Sequence, residues 1–269
     1  MRDEPHHTTP QVGAFIAHRS SFIARLDAIR ELVRNGVSLA LSLPIRVFPR
    51  RRRFRAVLAA GRALTPLAGS YVTRRFGRRV WGSPTDETLR ILFKGLARMR
   101  VAYEPELDLE IPDEVLAALG KGGAVFVTVH FPLNPLFTRW LYDQGHPPVI
   151  IRETLLPSFV WGTATELELL RPSHNVMLQI RRKLEEGAPV LLAIDRARAE
   201  SRPFPVETRF GPTEIATSIF TLAQRMDVPV FFFGVRATAG LPAAEVRQIE
   251  PEPQAFAEHF QRYAGQMLP

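Results

Sequence analysis

His130 is the residue whose surroundings first suggest chemistry. It follows the run Ala124-Val125-Phe126-Val127-Thr128-Val129 and precedes Phe131 and Pro132. A β-branched apolar run bounded by Gly122-Gly123 on one side and a proline on the other reads as a buried strand opening into a loop. Open α/β sheets carry their chemistry at such strand ends. Imidazole is the side chain whose ordinary titration spans neutrality, so one presented there can take up a proton as a general base. An acid occupies the same kind of position in Val190-Leu191-Leu192-Ala193-Ile194-Asp195, and Arg152 with Glu153 follows a third short strand, Pro148-Val149-Ile150-Ile151. The sequence has no Gly-x-Ser-x-Gly elbow, no Gly-x-Gly-x-x-Gly, no phosphate-binding loop of the Walker type and no His-Glu-x-x-His. It also has no cysteine, which excludes disulfides, thiolate metal sites and a thiol nucleophile, and fits a reducing compartment. No metal and no cofactor is expected.

Those strand ends need a scaffold, and the chain between them alternates strands with amphipathic helices. A helix is predicted from Asp86, whose acidic first turn complements the helix dipole, to about Met99. Shorter helices follow at Ile111 to Leu119, started by Pro112, and at about Asn134 to Gln144, stopped by Gly145. His174 to Glu186 carries Val176, Met177, Ile180 and Leu184 at helical spacing, with Gly187 placed to cap its end. After a hairpin-like piece around Val206 to Phe210, Thr213 is predicted to cap a helix bearing Ile215, Ile219, Leu222 and Met226. Val228 to Val235 is a wholly apolar strand, and a last helix spans about Pro253 to Tyr263, with His259 expected at the surface. His146 and His174 are expected to be structural or solvent-facing. This alternation predicts an α/β fold: a mostly parallel central sheet with helices on both faces, plus a basic, apolar, helical N-terminal appendage.

Charge divides the chain. Of 269 residues, 46% are hydrophobic and 23% charged, enough for one sizeable core, and the formal net charge is +8. Between Leu32 and Thr85 lie twelve arginines with no lysine, aspartate or glutamate, so this segment carries +12 and the rest of the chain −4. The arginines cluster at Arg50, Arg51, Arg52, Arg53 and Arg55 and again at Arg74, Arg75, Arg78 and Arg79, beside the apolar stretches Val37 to Phe48 and Ala56 to Val72. Apolar segments flanked by arginine suit an anionic bilayer surface, where each basic residue contributes roughly 1 kcal/mol. Docking of an acidic carrier protein, a solvated basic face and nucleic-acid binding are the competing readings. The last is disfavoured because Leu, Ala and Val, rather than stacking aromatics, separate the charges. Pro44 and Arg46 interrupt the best apolar run, so no clean membrane span is expected. Met1 to Pro10, with Asp3 and Glu4, does not read as a secretory leader.

In order along the chain come the basic apolar region, a strand ending in Val129-His130-Phe131, and Leu184-Glu185-Glu186-Gly187 before a strand ending at Asp195. Phe210-Gly211, a helix and Val228-Pro229-Val230 follow. Together they resemble the lysophospholipid acyltransferase superfamily, most of all its branch of late acyltransferases of lipid A, over about residues 30 to 250. The resemblance implies direct transfer, in which His130 takes a proton from an acceptor hydroxyl or amine as it attacks an acyl thioester. The family pairs its histidine with a carboxylate five residues later; here that position is Pro135. Either the amide oxygen of Asn134 holds the ring, as amides do in Cys-His-Asn sites, or a distant acid does, with Asp195 and Glu153 the candidates. Asp195 matches the acid of the family's Asp-Gln pair, although Arg196 follows it here. Arg171 falls near a family arginine that helps bind substrate or stabilise the transition state, and Arg152 is a second basic candidate for a phosphate or an oxyanion. Phe231-Phe232-Phe233 is most simply a core strand, with the lining of an acyl-chain pocket by one of its faces as the alternative.

The expectation is a peripheral acyltransferase at the cytoplasmic face of the inner (plasma) membrane. Residues 1–31 form a polar helical segment, 32–85 the membrane-contact segment and 86–269 the catalytic α/β domain. Its partners would be acyl carrier protein or acyl-CoA, an anionic membrane surface and a lipid or glycolipid acceptor, with no nucleic acid. Two alternatives follow from the same scaffold: a family member that binds lipid or acyl carrier without turnover, and a condensing N-acyltransferase of a biosynthetic pathway.

Overall fold

The computed structural model describes residues 36–76, 81–152, 158–195, 203–208 and 211–266. The predicted segment 1–31, Arg196 and Glu153 lie outside the described residues, as does the second arginine cluster as far as side chains are concerned. A helical stretch over 36–42 (α1) runs through the 3₁₀ turn Leu43–Val47 into α2 (Arg50–Phe76), and α3 (Pro84–Arg98) follows. The body continues with β1 (Asp108–Glu110), α4 (Asp113–Lys121), β2 (Val125–Thr128), α5 (Pro135–Asp143), β3 (Val149–Ile151) and β4 (Glu168–Leu170). It ends with α6 (Val176–Glu185), β5 (Val190–Ala193), β6 (Pro203–Thr208), β7 (Gly211–Ala216), α7 (Ser218–Met226), β8 (Val230–Arg236), β9 (Ala243–Ile249) and α8 (Pro253–Gln266).

Seven of these strands form one sheet in the order β1-β9-β8-β2-β5-β3-β4. The five from β8 to β4 are parallel, β9 is antiparallel to β8, and β1 is parallel to β9. The fold is therefore α/β with a mostly parallel sheet, as the alternation predicts. Successive side chains of β2 enter opposite cores: Phe126 joins Leu136, Phe137 and Phe93 on one face, while Val125 and Val127 join Ile180, Ile219 and Phe256 on the other. A central strand buried on both faces has no polar side, which is why this run is continuously apolar.

Two expectations change. Thr213 does not cap a helix; it lies in β7, the second strand of an antiparallel hairpin with β6, and α7 begins at Ser218 behind Thr217. Ile215 and Ile219, four apart, mimic a helical stripe, but Ile215 reaches the core from the strand. The basic segment is also less separate than its charge suggests. Phe54, Val57 and Leu58 of α2 are buried in the same core as Leu89, Leu92 and Phe93 of α3, so part of its apolar surface faces the body. Arg53 donates to the carbonyls of Phe48, Arg46 and Ala102, Arg55 forks onto Glu106, and Arg62 reaches the carbonyls of Thr238 and Gly240. No helix among the described residues is long and apolar enough to cross a membrane.

Candidate active site

The sheet register brings the two strand-end residues together. Thr128 of β2 pairs with Ala193 of β5, and each strand then runs two residues further, to His130 and to Asp195. The Ile194 N–H donates to the Thr128 carbonyl at 2.9 Å, which keeps the two exits side by side. A tight turn follows in which the Phe131 N–H reaches the Val129 carbonyl at 2.6 Å, and the His130 ring lies 2.6 Å from Asp195 Oδ1 through its Nδ1. The same oxygen accepts the His130 backbone N–H at 3.2 Å, and Oδ2 accepts the Trp81 indole N–H at 2.8 Å.

Three donors thus surround a carboxylate whose side chain is 5% exposed, while the His130 side chain is 41% exposed. Burial alone would push the Asp195 carboxyl upward. The hydrogen bond and charge of His130, helped by the Trp81 N–H, outweigh burial and hold it below its ordinary value. An ionised carboxylate only accepts, so Nδ1 carries the hydrogen and the lone pair of Nε2 is left for a reacting proton. This is the orienting role a buried aspartate plays in hydrolase triads.

Pro135, at the position where the resemblance implies an acid, begins α5, and β5 supplies the ring's carboxylate instead. The reading of Asn134 as the ring's partner is corrected. Its side-chain N–H groups donate to Thr128 Oγ1 at 2.8 Å and the Val129 carbonyl at 3.0 Å, and its oxygen accepts the Val235 N–H at 3.1 Å. Asn134 is buried, and an amide there is drawn to the unpaired backbone groups around it. It braces the His130 turn from below. Arg152 follows β3 and donates to Ser158 Oγ at 2.6 Å, and the exposed Arg171 follows β4. Both stand on the same sheet edge as His130, but β3 and β4 are two and three strands from β2, roughly 10 and 14 Å at ordinary strand spacing. Neither is bonded to the dyad.

Sequence reasoning overlooked the strap 81–83. Trp81 clamps Asp195 and sets its ring edge-on to Phe260 at 5.0 Å. Gly82 crosses Pro132 so closely that a Cβ would sit 2.9 Å from Pro132 Cδ. Ser83 caps α3 in a capping box with Asp86, whose other oxygen accepts the Ala237 N–H just beyond β8. The strap therefore ties the β5 exit to the β8 exit across the His130 turn. The pattern Ser83-Pro84-Thr85-Asp86 was its signal, a cap with an acid three residues on.

Among the described residues no group of three or more His, Asp or Glu is gathered to hold a metal ion. The geometry can orient an imidazole and keep it in one tautomer, on a side chain that is partly open to solvent. No protein-family model matches the chain, and no curated protein matches its sequence.

Proposed function

We propose that this chain is an acyltransferase in which His130 is the general base. The acceptor hydroxyl or amine gives its proton to Nε2 as its oxygen or nitrogen attacks the carbonyl of an acyl thioester. The tetrahedral adduct collapses with cleavage of the C–S bond, and the imidazolium returns the proton to the leaving thiolate. Asp195 orients the ring and stabilises the imidazolium, and Trp81 positions Asp195. The carrying observation is the pairing of the buried Asp195 carboxylate with Nδ1 of a half-exposed His130. The order of motifs resembling the lysophospholipid acyltransferases supplies the reaction class, with an acyl carrier protein or CoA thioester as donor and a lipid or glycolipid as acceptor.

A peripheral seat on the inner face of the plasma membrane belongs to the same reading. Helix α1 packs on α3 through serines: Ser38 and Ser42 donate to the carbonyls of Ile91 and Leu92. Its apolar residues Val37, Leu39 and Leu41 are exposed, as are Leu43, Val47 and Phe48. Arg46, Arg51 and Arg52 stand exposed beside them. An apolar strip turned outward and edged with cations suits a bilayer surface better than water.

The test is to incubate the full chain and its His130→Ala variant with isotope-labelled acyl thioester and a bacterial lipid extract, and to identify products by mass. The expected result is a lipid heavier by one acyl chain, with free thiol released in equal amount and the product absent with the variant. Equal product from both proteins, or thioester consumed by hydrolysis alone, would overturn the proposal.

A further inference from the structure

On the far side of β2 from Asp195, strands β8, β9 and β1 and helix α8 border an open cavity of about 390 Å³ whose lining includes Arg236, Glu245, Arg247, Tyr263 and Asp108. Register sets the lining. Arg236 pairs with Ala243, Gly234 with Glu245 and Phe232 with Arg247, so these residues share the face on which α8 packs. Gly234 leaves room for the phenol: a Cβ there would lie 2.6 Å from Tyr263 Cζ. The Tyr263 hydroxyl is buried and has no hydrogen-bond partner among the described residues, in a residue only 1% exposed. One turn earlier on the same helix, His259 is partly exposed, with its Nδ1 atom buried and without a partner among the described residues. Arg236 lies over the Tyr263 ring at 5.5 Å, with no hydrogen bond or ion pair to a described residue.

A buried polar group without a partner is rare, and the Tyr263 hydroxyl beside this cavity marks where a polar ligand would complete the bonding. Burial keeps the Tyr263 phenol protonated, pushing it well above its ordinary value although Arg236 opposes this, so it remains a donor. Arg236 brings a guanidinium to the cavity from β8 and Tyr263 a hydroxyl from α8, and a guanidinium with a second donor can share the several oxygens of a phosphate. The cavity is larger than phosphate alone needs. Its remaining wall holds Glu245, 4.0 Å from Arg247, and Asp108, which are acceptors for hydroxyl or ammonium hydrogens.

We propose that this cavity binds a phosphate ester, with Arg236 and the Tyr263 hydroxyl holding the phosphate and Glu245 accepting from a hydroxyl or ammonium group of its organic part. The Tyr263 ring packs at an incline against Phe131, the neighbour of His130, with centroids 5.0 Å apart, and Phe260 of the same helix touches Trp81. The ester is therefore the polar head of the acyl acceptor, a step that rests on the acyl-transfer reading; the binding itself does not.

The test is calorimetric titration of the full chain with phosphoethanolamine, ethanolamine and inorganic phosphate, together with flotation on phosphatidylcholine vesicles with and without phosphatidylethanolamine. Phosphoethanolamine is expected to bind more tightly than either fragment. Tyr263→Phe and Arg236→Gln should each weaken it about ten-fold. Tyr263→Phe should also raise the melting temperature of the unliganded protein by about 2–4 °C, because an unsatisfied buried hydroxyl is removed. If the variants also lose the preference for phosphatidylethanolamine vesicles, the source is a lipid headgroup; if they lose only the soluble ester, it is a free phosphate ester. Binding to both probes that is absent, or unchanged in both variants, overturns the proposal. Acyl transfer without this binding would sink the site alone, and binding without acyl transfer would sink the reaction alone.

Discussion

Asp195 and Asp86 are carboxylates of one kind in two surroundings. Both side chains are almost fully buried, and each accepts hydrogen bonds beyond the end of a strand that flanks β2. Asp86 receives the Ser83 N–H, the Ser83 hydroxyl and the Ala237 N–H, all neutral donors. Burial dominates there, and its carboxyl is raised above the ordinary value despite those bonds and the nearby Arg236. Asp195 has the Trp81 N–H and one backbone N–H, but also an imidazole that can carry positive charge, and its carboxyl is lowered. What sets the Asp195 carboxylate apart from that of Asp86 is thus the titratable partner that reaches solvent, more than the number of donors.

The two carboxylates should differ most in their effect on turnover. His130→Ala is expected to lower the acyl-transfer rate by about 10⁴-fold, the upper range for losing a positioned general base. Asp195→Asn should cost about 10³-fold, because an amide has one acceptor oxygen for donors on both sides. Its NH₂ must face either the Trp81 N–H or the His130 ring, and the tautomer is no longer held. Single-turnover measurement of thiol release checks both. Asp86→Ala, by contrast, should leave the rate per folded molecule within about three-fold and lower stability by about 2 kcal/mol, since it strips the α3 cap and leaves the Ala237 N–H without its acceptor. Urea unfolding followed by tryptophan fluorescence measures that loss.

Acid sharpens the contrast, because the two groups have opposite linkage. The folded value of Asp195 lies below its unfolded one, so its stabilisation is fully present above about pH 4 and is lost as pH falls through the folded value. The folded value of Asp86 is raised, so its ionisation carries a penalty that is absent in acid and complete once pH has risen past that value. From about pH 3 to pH 6 the stability gap between wild type and Asp195→Asn should widen, while that between wild type and Asp86→Asn should narrow. Parallel slopes in urea titrations would contradict the assignment.

The parts legible in sequence were those where burial is two-sided or periodic. β2, β5 and β8 announce themselves as unbroken apolar runs because both faces are covered. β9 escaped because Ala243-Ala244-Glu245-Val246-Arg247-Gln248-Ile249 buries Ala244 and Val246 on one face but only Ile249 on the other, and β1 and β4, three residues each, are too short for a period. In the site, His130 and Asp195 could be picked out as strand-end residues, but their contact depends on β5 lying next to β2, which strand composition does not encode. Trp81 was invisible for a related reason: the indole that holds Asp195 lies 114 residues before it. Asn134 misled because a polar residue near the His130 turn reads as chemistry, whereas three buried backbone and hydroxyl groups claim its amide.

The account rests on an imidazole held with its Nδ1 hydrogen on Asp195 and its Nε2 lone pair outward. Nitrogen-15 NMR of the histidine rings, at a pH where the ring is neutral, tests this most directly. His130 is expected to show a protonated Nδ1 and an unprotonated Nε2, with that preference lost in Asp195→Asn. A ring protonated at Nε2 in the wild-type protein would contradict it.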